Sequence, residues 1–178
     1  MNINKILVHT CCAPCLVYVN DKLDEMGISY NSFFYNPNIH PIKEHMRRLS
    51  TLREYISQFE LNLIEDDEFL QEKWEEGMKC EDCYLIRLDK TAQYAKLNGY
   101  RAFTTTLLVS IYQNHESIVK IGKELEKKYG IDFFYYDFRE GYRKGQDKAR
   151  ELGLYRQKYC GCINSYNSSK FKDKIKWD

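Results

Sequence analysis

The sequence predicts an α/β protein with a single three-layer domain, in which helices cover both faces of a mostly parallel, Rossmann-like sheet of about five strands. Two observations predict this class. Short apolar runs alternate with amphipathic segments of helical length, as they do in doubly wound folds. The 178 residues, 43% of them hydrophobic, are enough for one substantial core, and we find no internal repeat or linker that would divide them.

The first half of the chain is predicted to form three strands and two helices. "KILVH" is a short apolar run, and apolar residues then recur at helical spacing from Leu16 to Leu23, before Gly27. "ISYNSFFYN" predicts a second strand, which the turn sequence "NPNIHP" closes. An amphipathic helix follows between Met46 and Phe59, and "LNLIED" predicts a short third strand. Strands that alternate with helices in this way indicate parallel pairing.

The second half adds two more strands before the pattern weakens. A helix begins near Cys80 and stops before "NGY", and "AFTTTLLV" predicts a fourth strand. Asn114 is a suitable N-cap for the next helix, because its side chain can accept a hydrogen bond from a free backbone N–H. "IDFFYYDF" predicts a fifth strand. The chain beyond it becomes basic and less regular, and we expect this C-terminal segment, which contains Cys160 and Cys162, to be metal-binding.

Charge is unevenly distributed, although the formal net charge is only +1. Residues 60–76 contain eight acidic side chains and one lysine. Residues 143–178 contain ten Lys or Arg and four Asp or Glu, with aromatic residues between them. A basic and aromatic segment suits contact with phosphates and unpaired bases, although a solvated surface has the same composition.

The seven cysteines are not expected to form a disulfide framework. No apolar run is long enough to span a bilayer, and the start of the chain lacks a signal-peptide pattern, so we expect a cytoplasmic protein without membrane contact. The cytosol keeps thiols reduced. The cysteines form three groups in the sequence: Cys11, Cys12 and Cys15; Cys80 and Cys83; Cys160 and Cys162.

The first group lies where an active site is expected. Cys11 and Cys12 directly follow the first predicted strand, and ligands of such sheets lie beyond the carboxyl ends of the strands, where the strand order reverses. Enzymes with this strand-loop-helix opening hold phosphates on a glycine-rich loop, but residues 9–15 contain no glycine. Sulfur therefore replaces the phosphate-binding backbone.

The residues alone leave four interpretations of the cysteines open. A structural zinc site would use C-x-x-C knuckles such as "KCEDC". A thiol-disulfide enzyme would use one reactive cysteine beside a partner, as in "CGC". An iron-sulfur cluster would take four thiolates from "CC" and "CEDC", and the helix that begins near Cys80 would stabilise its negative charge. In the fourth interpretation, most of the cysteines are buried and inert.

Five motifs in order resemble those of the QueH family of epoxyqueuosine reductases: "HTCCAPC", "FFYNPNIHP", "KCEDCYLIRLDKTAQYAKLNGY", "FTTTLLVSIYQNHE" and "ELGLYRQKYCGC". The match runs from about His9 to Cys162. The resemblance implies reduction of epoxyqueuosine to queuosine at the wobble position of a tRNA anticodon, the last step of queuosine biosynthesis. It also implies a 4Fe-4S cluster, an external electron donor, and a fold akin to that of nucleotide-activating α/β enzymes.

The resemblance also implies roles for individual cysteines. The cluster ligands would be Cys11, Cys12, Cys80 and Cys83. Cys160 and Cys162 would form a redox-active pair. Because a cluster with four cysteine ligands has no open iron for an epoxide oxygen, either one thiolate is displaced or a second iron uses other sulfur atoms. Cys15 is then an additional metal or site thiol, or a small hydrophobic residue in the first turn of a helix.

Other side chains are candidates for proton transfer and for tRNA binding. His40 and His115 lie in polar loops near the expected carboxyl edge, where they either protonate the epoxide oxygen or serve as capping residues. His9 lies at the end of the first predicted strand, and the hydroxyls of residues 104–106 lie at the end of the fourth. These side chains either face the site or serve only as polar and β-branched residues of their strands. The candidate contacts to tRNA phosphates are Arg139, Arg143, Lys144, Arg150, Arg156 and Lys158. The candidate stacking residues, for which core packing is the alternative, are Tyr35, Tyr142 and Tyr155.

We expect one domain over residues 1–178, with a core that matches the family at residues 1–162 and a polar, basic tail at residues 163–178. Two other functions stay open at this point. One is a zinc-binding RNA adaptor, which would contain zinc and no iron. The other is a general thiol-disulfide oxidoreductase, which would act on protein disulfides and not on tRNA.

Overall fold

A computed structural model describes residues 4–177 of the chain. These residues form one five-stranded, all-parallel sheet with the strand order β3-β2-β1-β4-β5. The strands are β1 (Lys5–His9), β2 (Ser29–Tyr35), β3 (Leu63–Asp66), β4 (Ala102–Thr105) and β5 (Asp132–Phe133). The predicted α/β class, the number of strands and their parallel pairing are confirmed.

Seven α-helices accompany the strands within the described range. They are α1 (Ala13–Glu25), α2 (Ile42–Gln58), α3 (Glu72–Glu76), α4 (Cys80–Leu97), α5 (His115–Tyr129), α6 (Tyr142–Glu151) and α7 (Ile163–Ser168). α1 packs against α6, and α4 packs against α5 and the central strands. None of the helices in residues 4–177 is both long and apolar enough to cross a membrane.

The central strand β1 explains where ligands are expected to bind. Ile6, Leu7 and Val8 are fully buried, because β1 lies between β2 and β4 and is covered on both faces. The chain proceeds from β1 toward β2 and β3 on one side, and it returns to β4 and β5 on the other. The strand order therefore reverses between β1 and β4, and the crevice at their carboxyl ends is the expected binding position.

Two strands are shorter than the sequence predicts. β4 ends at Thr105 rather than Val109, because the Thr105 hydroxyl accepts a hydrogen bond of 3.1 Å from the backbone N–H of Leu107 and a short 3-10 helix begins there. β5 contains two residues, and the apolar run beyond it leaves the sheet and buries Phe138 in the core. Apolar character alone does not distinguish a strand from an extended segment that packs elsewhere.

The C-terminal segment is more regular than expected, since it contains α6 and α7. α5 begins as predicted, with the Asn114 side chain accepting a hydrogen bond of 3.1 Å from the backbone N–H of Ser117. α4 begins at Cys80, as predicted. The amino end of this helix lines the site described below, since Cys80 and Cys83 lie in its first turn.

Candidate functional site

Three cysteines lie together behind β1. Cys11 and Cys12 occupy the loop after the strand, and Cys15 lies in the first turn of α1. All three are buried, and their Sγ atoms lie within 4.8 Å of one another. Thiolates are preferred ligands of zinc, copper(I) and iron-sulfur clusters. This cysteine triad, defined as Cys11, Cys12 and Cys15, can therefore bind a metal ion or a cluster.

The carboxyl end of β4 holds the cysteine triad in place. The Thr106 hydroxyl accepts a hydrogen bond of 3.2 Å from the backbone N–H of Cys11, and it lies 3.3 Å from the Cys11 Sγ. Thr106 thus faces the site, as one of the two interpretations predicted. His9 is fully buried and contacts Thr105 and Asn36 instead of sulfur. Burial lowers the pKa of His9 to about 4, so this imidazole is neutral and completes the end of its strand.

A single cavity of about 60 Å³ connects the three cysteine groups. Six cysteines line it: Cys11, Cys15, Cys80, Cys83, Cys160 and Cys162. Cys80 and Cys83 lie in the first turn of α4, where free backbone N–H groups and the helix dipole favour negative charge. The fold therefore gathers thiols from both ends of the chain at one place, which spacing in the sequence could not show.

Asn38 orients the Cys83 side of the cavity. Its amide donates hydrogen bonds of 2.9 Å to the Cys83 Sγ and 3.4 Å to the Met78 sulfur. Its carbonyl oxygen accepts a hydrogen bond of 2.9 Å from Nε of Arg87. Burial raises the pKa of the Cys83 thiol, whereas the positive charge of Arg87 and the bond from Asn38 lower it.

Cys160 and Cys162 form a compact loop at the opposite side of the cavity. Their Sγ atoms lie 3.5 Å apart, and both thiols are free. The backbone N–H of Cys160 donates to the Ser165 hydroxyl at 2.9 Å, and the Cys162 Sγ accepts from the backbone N–H of Ser165 at 3.3 Å. The hydrogen bond between the Cys160 and Cys162 thiols holds the pKa of Cys160 well below its usual range. Gly161 connects the two cysteines with a φ of +121°.

Three further polar side chains contact this region, and sequence reasoning missed them. Arg48 and Arg87, both buried, line the cavity, and the Gln157 amide donates a hydrogen bond of 3.0 Å to the Cys12 Sγ. Arg87 forms no ion pair within residues 4–177, so its charge is available to the sulfur atoms. Buried arginines without an acidic partner are rare, but nothing in the local sequence distinguishes them from the exposed arginines of amphipathic helices.

The structure places both predicted proton donors outside the lining of the cavity. The imidazole of His40 is buried against Phe69 and Trp74, and burial lowers its pKa to about 4. The His115 ring lies 2.9 Å from the Tyr135 hydroxyl, and burial lowers its pKa as well. The role of these two histidines in proton transfer stays a prediction.

The predicted tRNA-binding residues differ in their availability. Tyr35 is 6% exposed and donates a hydrogen bond of 2.5 Å to Glu68, so its ring belongs to the core and is not accessible to a base. Tyr155 donates to the buried carboxylate of Glu44. Tyr142 is partly buried and stands at the start of α6.

The basic candidates are all at least partly exposed. Arg139 is paired with Asp137, and Arg150 is paired with Asp147. The other four form no ion pair within the part of the chain that the structure describes: Arg143, Lys144, Arg156 and Lys158.

A doubly wound sheet that carries thiols at its switch point, where related folds carry a glycine-rich loop, defines a Rossmann-like protein with a cysteine-based metal or redox site. The family model described as "Epoxyqueuosine reductase QueH" matches residues 6–168. The chain therefore belongs to the QueH family of epoxyqueuosine reductases, and it is an oxidoreductase of queuosine biosynthesis and tRNA processing.

Individual relatives agree with this membership. An epoxyqueuosine reductase QueH of Thermotoga maritima is 38% identical over 175 residues, which cover 90% of this chain and 89% of the relative. An epoxyqueuosine reductase QueH of Dehalococcoides mccartyi is 35% identical over 167 residues, which cover 90% of this chain and 92% of the relative. An epoxyqueuosine reductase QueH of Histophilus somni is 33% identical over 191 residues, which cover 98% of this chain and 75% of the relative.

Proposed function

We propose that this chain reduces epoxyqueuosine to queuosine at the wobble position of a tRNA anticodon. The observation that supports this most directly is the convergence of six cysteines on one cavity at the carboxyl end of the sheet. Epoxide reduction requires two electrons and two protons. Two neighbouring thiols supply both when they become a disulfide.

The donor set fits an iron-sulfur cluster. The proposed ligands are Cys11, Cys12, Cys80 and Cys83. Their support is the burial of the first pair, the helix terminus at the second pair, and the unpaired charge of Arg87 beside them. When bound, a 4Fe-4S cluster supplies one-electron transfer from an external reductant. The Cys15 Sγ lies within 4.8 Å of the Cys11 and Cys12 Sγ atoms, and it is the proposed ligand of a second iron.

Cys160 and Cys162 are the proposed redox pair. Their Sγ atoms are 3.5 Å apart, and a disulfide requires about 2.05 Å, so a small movement within the loop closes the bond. The two thiols lose two electrons and two protons and form one S–S bond. The epoxide gives up its oxygen as water and becomes an alkene. An external reductant then restores the two thiols.

Binding of tRNA is proposed to use basic residues of α6 and of the segment that leads from α6 to this loop. Arg143 and Lys144 on α6, with Arg156 and Lys158 after it, have no ion pair within residues 4–177, and their charges are free for phosphates. Arg139 and Arg150 would first have to leave their aspartate partners. Among the predicted aromatic residues, Tyr142 is the best placed to contact a base.

The function is tested with protein that is purified and reconstituted anaerobically, with epoxyqueuosine-containing tRNA as substrate. Cys160→Ser and Cys162→Ser are expected to abolish turnover while visible absorbance and iron content stay unchanged. Cys11→Ser and Cys83→Ser are expected to lose iron. Loss of iron in the Cys160 or Cys162 variants would make these residues ligands and contradict the assignment.

Two control measurements address the alternative functions. Zinc in place of iron, without turnover, would favour the RNA adaptor. Reduction of protein disulfides without action on tRNA would favour a general thiol oxidoreductase.

Cys15→Ser is expected to keep the cluster. Loss of the cluster in that variant would place Cys15 in the ligand set.

A further inference from the structure

An exposed aromatic side chain stands at the mouth of the cysteine cavity. Tyr112 is 79% exposed, and its neighbour Ile111 is 53% exposed. Ser110 and Gln113, which flank this pair in the chain, both line the cavity. Two adjacent apolar side chains that are left in water beside a binding site offer a surface for contact with a partner.

The loop that presents Tyr112 is held rigidly. The backbone N–H of Tyr112 donates to the Ser110 hydroxyl at 3.1 Å. The Tyr84 hydroxyl donates to the Gln113 side chain at 2.7 Å and accepts from the backbone N–H of Asn114 at 3.0 Å. Because the loop is already ordered, binding through Tyr112 costs little conformational entropy.

The surroundings of Tyr112 favour a nucleobase as its occupant. Its ring lies edge to face with Tyr142, with 5.8 Å between the ring centroids and an interplanar angle of 82°, and 79% of Tyr112 stays accessible to a ligand. Arg143, which follows Tyr142 in the chain, is exposed and has no ion pair within residues 4–177. An aromatic platform beside a free cation is the combination that binds unpaired bases and their phosphates.

The size of the cavity points in the same direction. Its volume is about 60 Å³, whereas pockets that enclose small molecules measure roughly 300–1,000 Å³. A nucleoside cannot be enclosed in a space of this size. The reacting nucleoside and its neighbours in the RNA must therefore contact the rim, where Tyr112 stands.

We propose that Tyr112 is a stacking platform for an unpaired base of the RNA substrate, adjacent to the nucleoside that reacts. This proposal rests on the proposed function, and it names one contact by which that substrate is recognised.

The test compares the binding of two labelled RNAs by fluorescence anisotropy. One is an anticodon stem-loop, and the other is a fully paired duplex of equal length without unpaired bases. Tyr112→Ala is expected to weaken stem-loop binding about tenfold, as loss of one base-aromatic stack does. Duplex binding and the salt dependence of stem-loop binding are expected to stay unchanged, because no phosphate contact is lost. Tyr112→Trp is expected to restore binding.

Leu97→Ala is the matched control. Leu97 is 78% exposed, and it ends α4, whereas the cavity cysteines begin that helix. This variant is expected to bind both RNAs like the wild type. Wild-type affinity of Tyr112→Ala for the stem-loop would overturn the proposal, and so would equal weakening for both RNAs. If the wild type neither binds the stem-loop nor reduces epoxyqueuosine in tRNA, the proposed function itself fails.

Discussion

Arg48 donates a hydrogen bond of 2.9 Å from its guanidinium group to the backbone carbonyl of Cys160, which lies 112 residues further along the chain. A second bond, of 2.6 Å, reaches the carbonyl of Tyr159, and Nε donates to the buried carboxylate of Glu44 at 3.0 Å. Glu44 also accepts a hydrogen bond of 3.1 Å from the indole of Trp177. The middle of α2 and the end of the chain therefore fix the backbone of the Cys160 loop together.

Arg48→Ala is expected to lower the free energy of unfolding by about 3–5 kcal/mol, because it leaves the carboxylate of Glu44 buried without its cation. Urea unfolding measures this loss. Arg53→Ala is the matched control, since the Arg53 pair with Glu65 is partly solvated and contributes less than about 1 kcal/mol. Losses of equal size in the two variants would contradict the buried role of Arg48.

Arg87→Gln is expected to weaken iron binding about 10- to 100-fold, the range found for side chains that support metal ligands. The reason is that a buried cation beside the thiolates is removed. The iron retained during anaerobic challenge with a chelator measures the effect. Arg87→Lys should retain less iron than the wild type and more than Arg87→Gln. Lys90→Gln removes a charge from the same helix outside the cavity, where Lys90 pairs with Asp66. It should retain iron like the wild type, and the same result for Arg87→Gln would refute the prediction.

Gly161→Ala is expected to destabilise the protein by about 1–3 kcal/mol, since φ is +121° there and an added Cβ would lie 3.1 Å from the Ile39 side chain. The control is Gly153→Ala, where φ is +69° and an added Cβ meets nothing within 4 Å. That change should cost only the left-handed backbone penalty of about 1 kcal/mol. Thermal unfolding compares the two, and an equal cost would show that the contact with Ile39 is unimportant.

His45 is expected to make stability depend on pH. Burial, with the nearby charges of Arg48 and Arg87, lowers its pKa to about 4, against about 6.5 in an unfolded chain. The unfolded chain therefore binds more protons between these values. The stabilising contribution of the neutral ring is complete above pH 6.5 and is lost as the pH falls toward 4.

The variant His45→Phe removes this titration and keeps an aromatic ring against Phe34 and Phe69. Between pH 7 and pH 5 the wild type should lose on the order of 2 kcal/mol more unfolding free energy than the variant. Denaturant titrations at the two pH values provide the comparison. Equal losses would mean that folding does not lower the pKa of His45.

The sequence predicted the sheet well because the central strands β1 and β4 are buried runs and because helices separate successive strands. β1 lies where "KILVH" placed it, and α4 begins at Cys80. β4 and β5 were predicted too long, because the side-chain cap at Thr105 and the departure of the chain after Phe133 depend on contacts that periodicity does not record.

The site was predicted less completely. The sequence located its cysteines, and the spacing Cys12-Ala-Pro-Cys15, itself a C-x-x-C pattern, was a signal for the cysteine triad. Arg48 and Arg87 carried no such signal, because a buried cation is recognisable only after distant segments have packed around it. The exposure of Tyr112 is likewise a property of the folded surface.

The order in which the ribosome makes this chain bears on when the cavity could first bind a metal. The cavity takes its first cysteine from Cys11 and its last from Cys162, in a protein of 178 residues. Domains fold as units, and metal affinity follows the formation of the complete set of ligands and supporting groups. A nascent chain that ends before Cys160 has only part of the cavity wall. The complete set of six thiols that could bind a metal therefore exists only after Cys162 has been synthesised and its loop has packed against the rest of the cavity wall.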